Sequence, residues 1–117
     1  MRGALAIMVL SLAACSAEPA ARSPAAIAAD AAAAAPSDAR LARLYNGSCR
    51  ACHALPESGA PLTHDRRAWD QRWAQGEATL LEHTISGHNG MPAGGQCFAC
   101  TAEDHRALIA FMAGRGE

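Results

Sequence analysis

The sequence predicts a small all-α domain of about four short helices, stabilised by more than a conventional hydrophobic core. Of the 117 residues, 50% are hydrophobic, but 30 of these are Ala, and from Ser37 onward there are only 16 large apolar side chains. Helical spacing recurs, as at Leu41, Leu44 and Tyr45, and no stretch shows the period-two alternation of a strand. So small a core usually needs a disulfide, a metal or a cofactor to hold the fold.

Capping residues and glycines set the expected helix boundaries. We predict one helix that starts at Pro36-Ser37-Asp38 and ends at Asn46-Gly47, one within 65–75, one within 76–86, and one that starts at Thr101 and ends at Gly114. Thr101 and Asp104 resemble a capping box, in which each satisfies a backbone N–H of the other's turn. Loops rich in Gly and Pro separate the helices after Cys52 and between 87 and 95.

Residues 1–14 are expected to form an export signal. Arg2 gives a positive start, and the apolar run that follows is too short to be a permanent membrane span. The run ends in Leu12-Ala13-Ala14-Cys15, which resembles a bacterial lipobox and predicts cleavage before Cys15 and lipidation of that residue. Because Ser16 follows, we expect the periplasmic side of the outer membrane. The alternative is cleavage after Ala17 or Ala20, which would leave a soluble periplasmic protein.

Residues 15–36 are expected to be a tether between the lipidated Cys15 and a folded domain at 37–117. The segment consists mostly of Ala, Pro and Ser, and Ile27–Ala35 is almost entirely Ala. Alanine favours helix, but a helix without an apolar stripe has nothing to bury. The sequence therefore predicts no packed element here.

The strongest motif is Cys49-Arg50-Ala51-Cys52-His53, a CxxCH sequence. Two thiols at this spacing reach the two vinyl groups of one porphyrin, and the adjacent His53 can ligate its iron. The motif predicts one covalently bound haem c per chain, with Cys49 and Cys52 as thioether donors. Zinc binding would need a second ligand pair, and a thioredoxin-like redox pair would need a βαβ context.

Cys97 and Cys100 form a second CxxC, but Thr101 follows instead of His, so no second haem site is encoded. In an oxidising compartment we expect these two cysteines to form a disulfide. A reactive dithiol is the alternative.

The sixth position of the iron has several candidate ligands. They are Met91, Met112, His64, His83, His88 and His105. Met91 is favoured because Gly90 and Pro92 flank it in a loop that can approach the haem. His88 is the main rival, since it lies in the same loop. Met112 belongs to the apolar face of the last helix, and the other three histidines are expected to be exposed.

The order of these motifs resembles the bacterial class I cytochromes c of the c-five kind. The likeness covers about residues 40–114 and includes CRACH, Gly59-Ala60-Pro61, Trp69-xx-Arg72, Gly90–Gly95 and the later CxxC. The resemblance implies His53 and Met91 as axial ligands, a hydrogen bond from the other ring nitrogen of His53 to the Pro61 carbonyl, Trp69 and Arg72 near a haem propionate, and a Cys97–Cys100 disulfide. The lysines that often surround the haem edge in this family are absent.

The expected function is one-electron transfer rather than catalysis. Iron held by His and Met has no open position for a substrate. The chain has 10 Arg, no Lys and 11 acidic residues, a net charge of −1, which argues against nucleic acid as a partner. We expect redox proteins as partners, membrane oxidases or reductases among them, with the lipid as membrane anchor. Two alternatives stay open: a small-ligand sensor or peroxidase-like enzyme with a displaceable sixth ligand, and an electron-entry subunit of a larger oxidoreductase.

Overall fold

The computed structural model describes residues 21–116, and within that range its regular structure is helical. The α-helices are α1 (Pro24–Ala33), α2 (Ala39–Gly47), α3 (Arg50–His53), α4 (Arg66–Trp73), α5 (Glu77–Ser86) and α6 (Ala102–Met112), with 3₁₀ turns at Pro56–Ser58 and Ala93–Gln96. Extended pairing in these residues is confined to one bridge, between His88 and Met91. Of the helices in this range, none has the length and apolar character to cross a membrane.

The four helices expected from the sequence are present as α2, α4, α5 and α6. Asp38 caps α2, since its carboxylate accepts from the backbone N–H groups of Arg40 and Leu41 at 3.0 and 2.8 Å. Thr101 and Asp104 form the predicted capping box at the start of α6. These side chains satisfy N–H groups that lack a partner in the first helical turn, so the helices begin where the sequence predicts.

A small core lies where α2 and α6 meet the loop after α3. Tyr45 is fully buried, its ring meets the Phe111 ring edge-on at 5.2 Å, and its hydroxyl pairs with Thr63 Oγ1 at 2.8 Å. The cluster of buried residues comprises Ala34, Tyr45, Cys49, Trp69, Leu80, Leu108, Ile109, Phe111, Met112 and Ala113. Cys49 of the CxxCH motif is one of these residues, so the motif is part of the core.

The expectation of an unpacked segment before Pro36 is wrong for α1. Ser23 caps this helix, and Pro24 occupies its first turn, where a missing N–H costs nothing. Ala31 is fully buried and Ala34 is 8% exposed. A helix made of Ala has no large apolar stripe to reveal which of its faces is buried. The sequence pattern therefore misses this packing.

Arg50 connects α1 to the CxxCH turn. Its guanidinium Nη2 donates to the Ala32 carbonyl at 2.6 Å, near the last turn of α1. A cation near the carbonyl end of a helix also interacts favourably with the helix dipole. The predicted signal peptide at 1–14 and the lipid site at Cys15 lie outside the residues that the structure describes, so both stay predictions.

Candidate functional site

The CxxCH motif forms a single helical turn. Cys49 immediately precedes α3, and its carbonyl accepts from the N–H groups of Cys52 and His53 at 3.2 and 2.9 Å. Residues three apart in a helix share a face, so the two cysteines are neighbours. Cys49 is buried, Cys52 is exposed, and both are free thiols in this polypeptide. The turn thus presents two thiols from one short, ordered segment.

His53 is held at both its ring and its backbone. The ring is buried, and Nδ1 lies 2.8 Å from the Pro61 carbonyl oxygen. Because a carbonyl can only accept, Nδ1 must carry the hydrogen. The His53 carbonyl in turn accepts from Thr63 N–H at 2.8 Å. The hydrogen bond to Pro61 that the resemblance implies is therefore present, and it leaves Nε2 as the ring nitrogen available to a metal.

The surroundings of His53 favour a neutral imidazole. Burial lowers its pKa, the hydrogen bond to Pro61 raises it, and the positive charge of Arg72 lowers it further. Arg72 belongs to α4, and its Nη1 donates to the Ala68 carbonyl at 2.7 Å. A histidine that ligates a metal must be neutral, so the net direction suits an axial ligand.

Trp69 forms a wall beside His53. The two ring centroids are 5.8 Å apart, with the planes inclined by 32°. The indole Nε1 donates to the Leu62 carbonyl at 2.8 Å, and the residue is 4% exposed. Its N–H therefore already has a partner. The roles of Trp69 and Arg72 near a haem propionate stay predictions.

Met91 lies in a tight loop between α5 and α6. His88 and Met91 exchange two backbone hydrogen bonds, of 3.0 and 2.9 Å, which close the turn between them. The Met91 side chain runs back over Gly95, where an added Cβ would lie only 2.9 Å from the Met91 Cε. His88, the rival ligand, is exposed, and its ring stacks on His83 at 3.8 Å. Backbone pairing and a glycine contact thus shape the loop around Met91.

Three histidines expected to be exposed are not. His105 is buried, and its Nε2 lies 3.1 Å from the Gly94 carbonyl oxygen. His64 is partly buried with its ring edge-on to Phe111 at 5.0 Å, and the partly buried His83 stacks on His88. For His105 the signal was available, because it precedes the buried Leu108, Ile109 and Met112 at spacings of three, four and seven residues along one helix face.

Cys97 and Cys100 form a disulfide, with Cα atoms 5.4 Å apart. The bond uses the two thiols that a zinc site would have needed as its second ligand pair. Burial also raises the pKa of the Cys49 thiol, which disfavours the thiolate that zinc prefers. The donor set of the described residues therefore does not suit zinc.

The same donor set fits haem c. Two free thiols lie on one turn, a neutral buried imidazole has Nε2 available, and the thioether of Met91 is held in a shaped loop. Thioether bonds to Cys49 and Cys52 would make the group a permanent part of a core that is otherwise small.

Comparisons with known proteins agree with this chemistry. The family model described as "Cytochrome C oxidase, cbb3-type, subunit III" matches residues 36–112. Cytochrome c-555 of Prosthecochloris aestuarii is 38% identical over 55 residues, which are 47% of this chain and 56% of that protein, so the chain spans little more than half of that relative's length. Cytochrome c5 of Ectopseudomonas mendocina is 38% identical over 68 residues, which are 56% of this chain and 78% of that protein.

A solved structure shows the same fold. A chain in the crystal structure of an electron transfer complex of nitrite reductase with cytochrome c matches with a TM-score of 0.59 and 32% sequence identity. The match covers 68% of this chain and 98% of that chain. The all-α class I fold and the covalently bound haem c are thereby confirmed. On its motif, its fold and these matches, the chain belongs to the cytochrome c family, among the class I monohaem c-type cytochromes.

Proposed function

We propose that this chain is a one-electron carrier whose haem iron is held by His53 and Met91. Bound haem supplies a one-electron couple at its iron. The observation that carries the proposal is the fixed ring of His53, buried and tied through Nδ1 to the Pro61 carbonyl at 2.8 Å. A ligand held in this way keeps its orientation when the charge on the metal changes.

Met91 is the second iron ligand in this proposal. With both His53 and Met91 bound to the iron, no coordination position would be left for a substrate, and this favours electron transfer over catalysis. A thioether is a soft, neutral donor that favours the reduced metal, so Met91 raises the potential relative to a second histidine. Its loop is closed by the paired hydrogen bonds to His88, which limits rearrangement of the ligand.

The test replaces Met91 by alanine. We expect Met91→Ala to abolish the weak far-red sulfur-to-iron band of the ferric protein, to lower the potential, and to let the ferrous protein bind carbon monoxide. Met112→Leu is the matched control, because Met112 is buried in α6 and its replacement should leave the band intact. If the unmodified ferrous protein binds carbon monoxide readily, or if His88→Ala removes the ligand instead, the sensor or enzyme alternative replaces the carrier.

A second candidate is an electron-entry subunit of a larger oxidoreductase. The description of the matching family model, which names a cbb3-type oxidase subunit, favours it. The matches to cytochromes named c-555 and c5 favour a separate carrier. Affinity purification from the native membrane distinguishes the two: a carrier elutes alone, whereas a subunit elutes with its complex in constant ratio.

We further propose that the chain is exported and anchored by lipid at Cys15, on the periplasmic side of a bacterial membrane. The lipobox-like Leu12-Ala13-Ala14-Cys15 supports this, as does the Cys97–Cys100 disulfide, since such bonds persist in oxidising compartments. We expect Cys15→Ser to move the protein into the soluble fraction or leave its signal uncleaved. A wild-type protein that is already soluble and carries no lipid would contradict the anchor.

Redox proteins, with membrane oxidases or reductases among them, are the partners we propose. Without lysine, docking through a ring of ammonium groups is not available. Phe98, which is 96% exposed in the short loop closed by the disulfide, offers apolar contact instead. Weak docking through a small surface suits redox partners, which must separate after each transfer.

A further inference from the structure

His105 is a buried polar residue that electron transfer, as described so far, does not use. It lies in the first turn of α6 and is 7% exposed. Its Nε2 is 3.1 Å from the Gly94 carbonyl oxygen, in the loop that carries Met91. Because the carbonyl accepts, Nε2 donates. The contact therefore joins α6 to that loop.

The Met91 loop adopts a backbone conformation that needs external support. Left-handed φ values occur at Asn89 and Gln96, at 52° and 61°, as well as at glycines 87, 94 and 95. A residue with a Cβ costs about 1–2 kcal/mol in this region. Such a conformation persists only where surrounding contacts hold it.

Most of the available support is local. His88 pairs with Met91, Gly95 N–H donates to Pro92 O, and Cys97 N–H donates to Gly94 O. These bonds all join residues of the same loop. Among the residues that the structure describes, the bond from His105 is the side-chain hydrogen bond that reaches residues 88–96 from another element.

The Gly94 carbonyl is linked to Met91 through the neighbouring Gly95. It accepts from both Cys97 N–H, at 2.9 Å, and His105 Nε2, at 3.1 Å, which uses both of its lone pairs. The next residue, Gly95, is the one whose added Cβ would contact the Met91 methyl group. Fixing the peptide between Gly94 and Gly95 therefore fixes the surface on which the Met91 side chain rests.

The start of α6 provides a firm base for this contact. Asp104, beside His105, forms an ion pair with Arg40 of α2 and a capping box with Thr101. A ring nitrogen of His105 also lies within 4.8 Å of the sulfur atoms of Cys97 and Cys100. The imidazole thus has little freedom to leave the Gly94 carbonyl.

We propose that His105 is a positioning residue for Met91: by donating to the Gly94 carbonyl, it holds the loop so that the Met91 sulfur stays at the iron. This inference rests on the proposed role of Met91 as the sixth ligand. In this proposal His105 acts through the loop and not through direct contact with the haem.

The experiment compares the holoprotein with His105→Leu, which removes the donor, and His105→Gln, whose amide nitrogen can occupy the position of Nε2. Arg106→Leu is the matched control, since it places the same side chain at the next residue of α6, which is exposed and pairs with Glu103 instead of the loop. For each variant we would measure the far-red band, the potential and the binding of carbon monoxide to the ferrous form. Met91→Ala serves as the reference for a lost ligand.

We expect His105→Leu to weaken the far-red band, lower the potential and raise the apparent affinity for carbon monoxide by about fivefold to tenfold, the effect of one lost hydrogen bond. His105→Gln should restore most of each signal, and Arg106→Leu should leave them unchanged. If His105→Leu behaves like Arg106→Leu while Met91→Ala still loses the band, only the positioning role is overturned. If the unmodified protein lacks the band, both proposals are overturned together.

Discussion

At the scale of single residues, the two adjacent glycines of the Met91 loop have different surroundings. Both have left-handed φ values, 67° at Gly94 and 55° at Gly95. A Cβ at Gly94 would meet nothing within 4 Å, whereas a Cβ at Gly95 would lie 2.9 Å from the Met91 Cε. Substitutions at the two positions therefore distinguish the effect of backbone strain from the effect of displacing the Met91 side chain.

We expect Gly94→Ala and Gly95→Ala each to lose about 1–2 kcal/mol of unfolding free energy, because both place a Cβ in the left-handed region. Only Gly95→Ala should also weaken the far-red band and admit carbon monoxide, since its Cβ displaces the Met91 methyl group. Denaturant unfolding and optical titration measure the two effects. Equal spectra for the two variants would contradict the contact.

At the scale of elements, the start of α6 is tied to α2 by charge. The Asp104 carboxylate accepts from the guanidinium of Arg40, and from Thr101 N–H at 2.8 Å. The hydrogen bond from Arg40, followed by that from the Thr101 backbone, holds the pKa of Asp104 well below its ordinary value. Asp104 is only 6% exposed, so these hydrogen-bond partners replace the water that its carboxylate has lost on burial.

This lowered pKa predicts a pH dependence of stability. A carboxyl whose folded pKa is depressed stabilises the fold fully above its unfolded pKa, and the contribution is lost as the pH falls through the folded value. We therefore expect Asp104→Asn to be less stable than the wild type at neutral pH, with the two unfolding curves converging in acid.

The measurement is the thermal unfolding midpoint from neutral pH to below the ordinary aspartate pKa. Asp70→Asn is the control, because Asp70 is half exposed and its ion pair with Arg115 contributes little. If the unfolding midpoints of Asp104→Asn and the wild type differ by the same amount across this range, the ion pair is not the cause of the pH dependence.

At the scale of the whole molecule, the described core is too small to explain the fold by itself. Its buried cluster contains few large side chains, and Cys49 is one of its members. Domains of this size approach the limit at which a core needs a covalent or cofactor staple. Haem attached to Cys49 and Cys52 supplies that staple, and the Cys97–Cys100 disulfide adds a smaller one.

We expect Cys49→Ala/Cys52→Ala, which cannot attach haem, to lose most of the helical circular dichroism of the wild type. Cys97→Ala/Cys100→Ala is the matched control, since it removes the other cysteine pair. It should keep its haem and its helices, with a loss of about 1–3 kcal/mol for so short a loop. A haem-free variant that unfolds cooperatively from a native helical content would contradict the dependence.

The helix boundaries and the haem motif could be predicted because their causes are local. Asp38 and Thr101 cap their helices through N–H groups two or three residues away, and the CxxCH spacing reflects the geometry of one turn. The disulfide joins two residues three apart, so it too was within reach of sequence reasoning. By contrast, α1 was missed, because alanine gives no pattern that distinguishes a buried face from an exposed one.

The sequence by itself determined the helical class, the attachment of haem at Cys49 and Cys52, and the candidate ligands His53 and Met91. The resemblance also implied the bond from His53 to the Pro61 carbonyl, which the structure contains. Only the tertiary structure decided that His105 is buried and donates to the Gly94 carbonyl. That acceptor is a backbone atom that every residue possesses, so composition and spacing do not reveal its partner before the fold brings the two together.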